Sequence, residues 1–414
     1  MECSTSRYRL GDLCEFYRGA SVPRTRMRDS GDCLYIHYGD LYKGFSYCID
    51  VERQQKPIPY ILSSEKIKDE QRLLDQDIVY VLTSETVDDL GHSFLFNNPQ
   101  HVPAVAGTET TIVRVKDHRI LLPAYLNYLM HSPRFLKMLR QYVRGMKVFR
   151  VHPRDVARIE IELPTIETQR KTVVMLDAIH EKLLVNVRTN GYLEELLDAE
   201  FTEMQAEADD TWKDASLLDI ANYKNGLAMQ KFRPQPGDKG LPVLKIRELG
   251  QGECGPDAER CSSDIEDSVH VRDGDLIFSW SGTLMLDFWA GGDAGLNQHL
   301  FKMTSDKYPS WFYYMWTKHH MRKFIAMAKD RATTMGHIKR SALANAAVKI
   351  PPSDVLRSQT KAMQPLVDEA VGLKIQSRKL ANLRDALLPR LMSGEIDVSQ
   401  IELPKQPNSH LRER

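Results

Sequence analysis

A stripe of apolar side chains, recurring at alternating steps of three and four residues, is the clearest pattern in this chain. The stripe contains Leu176, Ile179, Leu183, Asn186, Asn190, Leu193 and Leu197. This 3.5-residue period is that of a coiled-coil seam. The pattern predicts a long helix over residues 166–206, with two asparagines interrupting its apolar face.

A second stripe predicts another long helix over residues 356–394. It contains Met363, Leu366, Ala370, Leu373, Ser377, Leu380, Arg384, Leu387 and Leu391. Proline is tolerated in the first turn of a helix, where its missing amide would have no intrahelical partner anyway. We therefore expect Pro365 to lie in the first turn of this helix.

The two stripes together favour a pair of helices. Either helix alone could equally be an amphipathic helix that packs on its own domain. Both stripes, however, have a polar interruption near the middle, and a buried polar layer fixes the register of paired helices at a cost in stability. We predict an interface made by Leu176, Ile179, Leu183, Asn186, Asn190, Leu193, Leu197, Leu366, Leu373, Ser377, Leu380 and Leu387.

The segments before the two helices contain short alternating runs typical of strands, and corresponding features recur in the same order. The pairs are Gly19 and Gly226, Asp75 and Asp273, Asp77 and Asp275, Gly107 and Gly295, and Pro164 and Pro351. Their offset decreases from 207 to 187 residues along the chain, as loops of different length require. The chain therefore contains two copies of one unit.

This repeat predicts an α+β fold with two similar mixed α/β domains, mainly antiparallel, joined by a pair of long coiled-coil helices. We place the domains at residues 1–165 and 207–355, the helices at 166–206 and 356–394, and a C-terminal tail at 395–414. The length of 414 residues suits two domains of about 150 residues each with connecting elements.

Composition narrows the class of protein. Hydrophobic residues make up 42% and charged residues 27%, close to globular averages. No apolar run reaches the length of a membrane span, and the start lacks the features of a signal peptide, so we expect a soluble cytoplasmic protein. The six cysteines include no Cys-x-x-Cys pair, which favours free thiols over a zinc site.

Charge is balanced overall but uneven along the chain. The 56 basic and 56 acidic residues argue against a simple nucleic-acid binder. Residues 134–158, however, hold eight Lys or Arg and one acid, and residues 318–340 hold seven and one. These runs occupy equivalent places in the two copies, so both are candidate phosphate-facing surfaces. Residues 194–214 carry nine acids and suit solvent or a basic protein partner.

Catalytic motifs are not found. The chain has no phosphate-binding G-x-x-x-x-G-K-[ST] loop and no H-E-x-x-H zinc motif, and Asn97-Asn98-Pro99-Gln100 does not fit an adenine methyltransferase loop. The repeated aspartate pairs resemble a nuclease metal pair, but no lysine is close in the sequence. We expect no catalytic residue and no metal site in this chain.

Contact with DNA needs basic side chains for phosphates and Arg, Lys, Asn, Gln, Ser or Thr for base edges. Arg18, Arg24 and Arg26 surround Gly19, and Lys224, Lys231 and Arg233 surround Gly226. A second pair of segments lies around Gly145 and Gly336, where glycine would let the backbone approach DNA closely. These segments contain Arg144, Lys147 and Arg150, and Thr333, Thr334, His337 and Lys339. Gln298 and His299 are further candidates, whereas Trp280 fits a core position better.

The sequence resembles the specificity (S) subunits of type I restriction-modification enzymes over residues 7 to 397. The resemblance rests on Leu10-Gly11-Asp12 and Leu217-Leu218-Asp219, on Pro164 and Pro351-Pro352 followed by Gln169 and Gln359, and on the ending from Leu383 to Ile396. It implies two target-recognition domains separated by an antiparallel pair of long coiled-coil helices. Each domain is then expected to read half of a split, asymmetric DNA site. The chain departs from the family pattern at Gly107-Thr108-Glu109-Thr110-Thr111, where the second copy has the more typical Gly295-Leu296-Asn297-Gln298-His299.

The resemblance also implies partners: double-stranded DNA, two modification (methyltransferase) subunits docked on the helices and recognition domains, and two ATP-dependent restriction subunits. S-adenosylmethionine and ATP are then expected in those partners and not in this chain. Two alternatives remain from the residues alone, namely a self-contained methyltransferase or nuclease with unrecognised motifs, and a coiled-coil scaffold that does not bind DNA.

Overall fold

The structure, a computed structural model, describes residues 6–42, 45–53, 57–62, 64–329 and 338–402. The chain forms two compact units. Unit 1 contains Met1–Glu181 and Asn382–Arg414, and unit 2 contains Lys182–Ala381. Each unit therefore takes a part of the chain from both long helices. Within the described ranges, no helix is both long enough and apolar enough to cross a membrane.

The strands of unit 1 are short. They are β1 (Ser6–Arg9), β2 (Cys14–Arg18), β3 (Cys33–Ile36), β4 (Cys48–Asp50), β5 (Tyr60–Ile61), β6 (Ile78–Val81), β7 (Thr83–Ser84), β8 (Ser93–Asn97), β9 (Ala104–Ala106), β10 (Thr110–Val115), β11 (Phe149–Arg150) and β12 (Glu160–Leu163). The main sheet has the order β2-β10-β6-β8-β4, and all its pairs are antiparallel except β4 with β8. A second sheet has the order β5-β3-β9, and β1–β12 and β7–β11 form separate pairs.

Both faces of the main sheet of unit 1 are covered, which explains why its central strand is apolar without alternation. On β6, Ile78 and Tyr80 pack into a core shared with helices, whereas Val79 and Val81 pack into a second core with β3 and β8. The short helices of the unit are α1 (Leu10–Leu13), α2 (Tyr38–Leu41), α3 (Pro123–His131), α4 (Pro133–Arg140) and α5 (Pro153–Val156). Proline begins three of them, where its missing amide is harmless.

The first long helix, α6 (Ile166–Ala206), has 41 residues and follows β12. The strands of unit 2 are β13 (Lys213–Ser216), β14 (Asn222–Asn225), β15 (Leu241–Leu244), β16 (Arg260–Cys261), β17 (His270–Val271), β18 (Leu276–Ser279), β19 (Met285–Phe288), β20 (Ala294–Leu296), β21 (Leu300–Thr304) and β22 (Ala347–Ile350). They form sheets of order β14-β21-β18-β19 and β16-β15-β20-β17, with β13 paired to β22. Its shorter helices are α7 (Leu217–Ile220), α8 (Ile246–Gln251), α9 (Ser310–Lys329) and α10 (Arg340–Ala344).

Unit 2 repeats the packing of unit 1. On β18, Leu276 and Phe278 pack into the core that contains α9, whereas Ile277 packs into the core on the opposite face of the sheet. The fold is therefore α+β with two similar domains, each followed in the chain by a long helix.

The second long helix, α11 (Ser353–Met392), has 40 residues. The expectation that Pro365 lies in its first turn is wrong, because the helix begins at Ser353 and Pro365 lies well inside it. Pro365 is exposed. Water can therefore bind the carbonyl that lacks an amide partner, which makes the proline tolerable there.

The long helices contact each other within both units. In unit 2, Asn186 meets Gln376 and Ser377, and further along α6 Phe201 shares a core with Met363 near the start of α11. The two segments therefore run antiparallel. In unit 1, Leu176 shares a core with Leu388 and Leu391.

The seam residues are buried to different degrees. Leu176, Ile179, Asn186, Leu197 and Leu373 are buried, whereas Leu183, Asn190, Leu193, Leu366, Ser377, Leu380 and Leu387 are partly buried. The same stripes also contact the domain cores, so pairing and packing on a domain occur together.

Candidate nucleic-acid interface

Three segments of unit 1 converge on one surface: the end of β2, the loop at residues 107–111 and the segment around Gly145. Gly19 donates its backbone N–H to the carbonyl of Thr110 at 3.0 Å. The Arg18 guanidinium lies 3.0 Å from Nε2 of His152. The Arg150 guanidinium lies 3.9 Å from Glu109. The structure therefore brings Arg18 and Arg150 to one surface.

Residues 144–150 form a tight hairpin. Arg144 and Arg150 exchange backbone hydrogen bonds of 2.9 and 2.8 Å across it. Gly145 has φ +115°, and a Cβ there would lie 2.1 Å from the carbonyl oxygen of Val148. The interpretation that glycine serves close approach to DNA is therefore unnecessary, because the turn itself requires it.

The base of the hairpin is attached to the domain. The amide of Val151 donates to the carbonyl of Leu82 at 3.0 Å. Asp155 is buried and accepts from Arg144 and Arg158, each at 3.3 Å. Lys147 is exposed near the tip. The hairpin thus presents cations to solvent, while Asp155 is buried and paired with two arginines. Exposed Glu109 lies near Arg150.

Arg24 and Arg26 make their contacts elsewhere in unit 1. They form a single 3-10 turn, Arg24–Arg26, in which Arg26 pairs with Glu65 at 2.8 Å. Arg24 lines a cleft together with His37 and Asp40. Both arginines are exposed, so they stay candidate DNA contacts on another part of unit 1.

Unit 2 has a corresponding surface of different chemistry. The indole N–H of Trp280 donates to Oδ1 of Asn225 at 3.1 Å, and its ring centroid lies 6.1 Å from that of His299. Gln298 and His299 are partly buried, with their side-chain nitrogens 3.4 Å apart. Trp280 is partly buried and packs against the core of unit 2, so it combines the expected core contact with a place on this surface.

Trp280 and Leu82 occupy equivalent positions in the two units, because each accepts a backbone hydrogen bond from the corresponding segment. The carbonyl of Trp280 accepts from the amide of Ile338 at 3.0 Å, as that of Leu82 accepts from Val151. The residues around Gly226 also match those around Gly19. A Cβ on Gly226 would lie 2.3 Å from the carbonyl of Asn297, and one on Gly19 would lie 2.0 Å from that of Gly107.

The remaining candidates of unit 2 are on the surface. Lys231, Arg233 and Lys339 are exposed, and partly buried Lys224 lies 3.8 Å from Glu266. Thr333, Thr334 and His337 lie outside the described residues.

The repeated aspartates have structural partners. Arg114 donates two hydrogen bonds of 2.8 and 2.7 Å to buried Asp77. Burial raises the pKa of Asp77, although the bonds from Arg114 oppose this shift. Lys302 lies 2.8 Å from Asp275 at the matching position. The expectation that no lysine lies near the aspartate pairs is therefore wrong for Asp273 and Asp275. Lys302 is distant in the sequence, but it lies on the neighbouring strand β21.

The other two aspartates of these pairs, Asp75 and Asp273, also have hydrogen-bond or ion-pair partners. Asp75 accepts from the amide of Asn98 at 2.7 Å, and Asp273 binds Arg378 at 2.8 Å. These carboxylates tie loops and strands together. Over the part of the chain that the structure describes, no group of three His, Cys, Asp or Glu side chains is arranged to hold a metal.

Sequence reasoning missed several members of the unit 1 surface. His152, Thr83 and Glu109 link its segments, with Thr83 donating to Glu109 at 2.7 Å. Glu109 has φ +59°, a conformation that only the structure reveals. Met146 at the hairpin tip is 93% exposed and was not a candidate.

Comparison with known proteins agrees with this duplicated arrangement. The family model described as "Type I restriction modification DNA specificity domain" matches twice, at residues 5–191 and 209–376. Each match includes part of the long helix that follows its domain.

Two curated proteins are similar in sequence. The type I restriction enzyme MjaIX specificity subunit of Methanocaldococcus jannaschii is 23% identical over 314 residues, which cover 67% of this chain and 70% of that protein. The EcoBI specificity subunit of Escherichia coli is 23% identical over 195 residues, which cover 45% of this chain and 40% of that protein.

A solved structure has the same fold. It is the S subunit of a type I restriction-modification system from M. genitalium, which aligns with a TM-score of 0.60 and 13% identity. The alignment covers 94% of this chain and 96% of that chain.

Proposed function

Since the chain belongs to the type I restriction modification DNA specificity family and is a DNA sequence-specificity subunit, we propose that each unit reads one half of a bipartite, asymmetric double-stranded DNA site. The observation that carries this proposal is the repeated surface, built in both units around the glycine contacts of Gly19 and Gly226. Selection of bound duplexes from a random library tests it, since two separate half-sites should emerge.

The two surfaces differ in chemistry, which supports an asymmetric site. In unit 1, Arg18, Lys147 and Arg150 offer charges that suit phosphates. In unit 2, Asn225, Gln298 and His299 offer polar groups that suit base edges beside Trp280. Exchanging the recognition domain of unit 2 with that of a relative should change one half-site and leave the other.

The helix pair sets the spacer between the half-sites in this proposal. At a rise of 1.5 Å per residue, the 41 residues of α6 extend over about 60 Å. The polar contacts between the helices in unit 2 and their shared core in unit 1 give this element a fixed register, which a spacer of defined length requires.

Exposed apolar side chains on α6 support docking of modification subunits on the helices. Tyr192 is 63% exposed and Leu196 is 44% exposed, and both lie on one face with Val185. A double Tyr192→Ser and Leu196→Ser variant should lose co-purification with the modification subunit. Val187→Ser, on another face of the same helix, is the control and should retain it.

The complete assembly in this proposal has two modification and two restriction subunits, and works in the cytoplasm. S-adenosylmethionine and ATP bind in those partners, so this chain is not itself an enzyme. A methyl-transfer assay on the purified chain, with and without modification subunits, tests the assignment. Transfer by the chain alone would contradict it.

A further inference from the structure

Met146 has an unusual environment for a large apolar side chain. It is 93% exposed, whereas the next most exposed large hydrophobic among the described residues, Val187, is 69% exposed. Val148 on the same hairpin is 41% exposed. The tip of this hairpin thus exposes two apolar side chains, Met146 and Val148, on either side of Lys147.

The hairpin holds Met146 in a defined position. The paired backbone hydrogen bonds of Arg144 and Arg150 close the turn, and the φ of +115° at Gly145 fixes its shape. The hydrogen bond from Val151 to Leu82 attaches the hairpin to the residue between β6 and β7. A side chain on such a turn projects from the domain in a reproducible direction.

The charges around Met146 indicate what it contacts. Lys147 and Arg150 lie on the hairpin, and Arg154 and Arg158 are exposed just after it. The acid within this stretch, Asp155, is buried and paired with two arginines. A phosphate-rich surface complements this arrangement, since cations flank Met146, the more exposed of the two apolar side chains.

We propose that Met146 inserts between two base pairs of the half-site read by unit 1. The inference rests on the proposed function and adds a specificity-determining residue to it. Apolar wedges, methionine among them, enter base steps from the minor groove and partly unstack them. Pyrimidine–purine steps unstack most easily. Met146 thus selects such a step by its deformability and not by a hydrogen bond.

The test uses the full chain and a duplex carrying the selected site, with 2-aminopurine replacing each adenine of that half-site in turn. Wild-type protein should raise the fluorescence at one step, because unstacking relieves quenching. Met146→Leu, which remains apolar, should retain this signal. Met146→Gln, which is similar in size but polar, should lose it and bind the selected site about tenfold more weakly.

Two controls separate the wedge from other effects. Lys147→Gln should keep the fluorescence signal but lower the salt slope by about one unit. Leu74→Gln, at a 53% exposed position before β6 in the same unit, should change neither readout. An equal signal from Met146→Gln, or no signal from wild type while it binds its site selectively, would overturn the wedge alone. Failure of wild type to select any sequence would overturn the proposed function and the wedge with it.

Discussion

Asn186 on α6 donates a hydrogen bond of 3.1 Å to the hydroxyl of Ser377 on α11. Its Nδ2 also donates to Gln376 at 2.9 Å, and the residue is fully buried. Both Asn186 and Ser377 interrupt apolar stripes in the sequence. The contact therefore joins the polar layers of the two helices and fixes their register within unit 2.

Asn186→Ala should lower the free energy of unfolding by about 1–3 kcal/mol, because it removes two hydrogen bonds in a buried layer. Urea denaturation followed by circular dichroism measures this change. Ser358→Ala, at an exposed position of α11, should leave stability nearly unchanged. Equal stability of the Asn186 variant and wild type would show that the layer does not stabilise the pair.

Glycine substitutions should have opposite effects at two kinds of position. Gly19→Ala and Gly226→Ala each place a Cβ within 2.3 Å of a carbonyl oxygen, so each should destabilise its unit by about 1–3 kcal/mol. Gly191 lies inside α6 with nothing within 4 Å of an added Cβ. Gly191→Ala should therefore stabilise the protein by about 0.5–1 kcal/mol. Thermal denaturation measures these changes, and the melting temperature should fall for the first two variants and rise for Gly191→Ala.

Joint replacement of Arg144, Lys147 and Arg150 by Gln should weaken binding to all sequences and lower the salt slope by up to about 3 units. Arg144 should contribute least, because Asp155 already pairs with it at 3.3 Å. Fluorescence anisotropy at several salt concentrations gives the slope. Arg119→Gln in the same unit, whose arginine pairs with Asp117, is the control. A slope equal to that of wild type would place the hairpin away from DNA.

Stability should fall in mild acid partly because of His131. Burial lowers the pKa of His131 from 6.5 to about 4, and its Nε2 lies 2.8 Å from the carbonyl of Ser93. His131 takes up a proton at a higher pH in the unfolded chain than in the native protein. The stability that neutral His131 contributes is therefore complete above pH 6.5 and is lost as the pH falls towards 4. The loss amounts to at most about 3 kcal/mol.

His131→Gln should therefore show a smaller decrease in the free energy of unfolding between pH 7 and 4.5 than wild type. The histidines and arginine that face this group, His92, His180 and Arg384, are present in both proteins. Parallel pH dependences for the two proteins would show that His131 does not titrate in this way.

The sequence predicted the features that depend on local periodicity. The 3.5-residue stripes gave both long helices, because a helix face repeats at that spacing whatever lies around it. The offset between Gly19 and Gly226 helped to identify the duplicated unit. Both positions need glycine, because a neighbouring backbone carbonyl leaves no room for a side chain. The assignment of particular side chains to DNA contact stays a prediction.

Features that depend on contacts between distant strands could not be predicted in the same way. Asp275 directly precedes β18 and Lys302 lies on the neighbouring strand β21, so only the pairing of these two strands brings them together. A signal was present, since Arg114 and Lys302 are the lone cations of the equivalent strands β10 and β21, although they lie two residues apart in the register of the two copies. Pro365 is tolerated inside α11 because it is exposed to solvent, and the stripe pattern alone does not show that exposure.

The central claim is that two units read separate half-sites and that the helix pair sets the gap between them. Inserting one heptad into both α6 and α11 keeps the seams in phase and lengthens the pair by about 10 Å. This equals about three base pairs at 3.4 Å per base pair. A two-residue insertion instead moves apolar positions off the seam, so it should cost stability and not change the spacer.

The deciding measurement is selection of bound sites from a random duplex library with wild type and with both insertion variants. The account predicts that the heptad variant selects the same two half-sites with a gap about three base pairs longer. Changed half-site bases with a constant gap would contradict it.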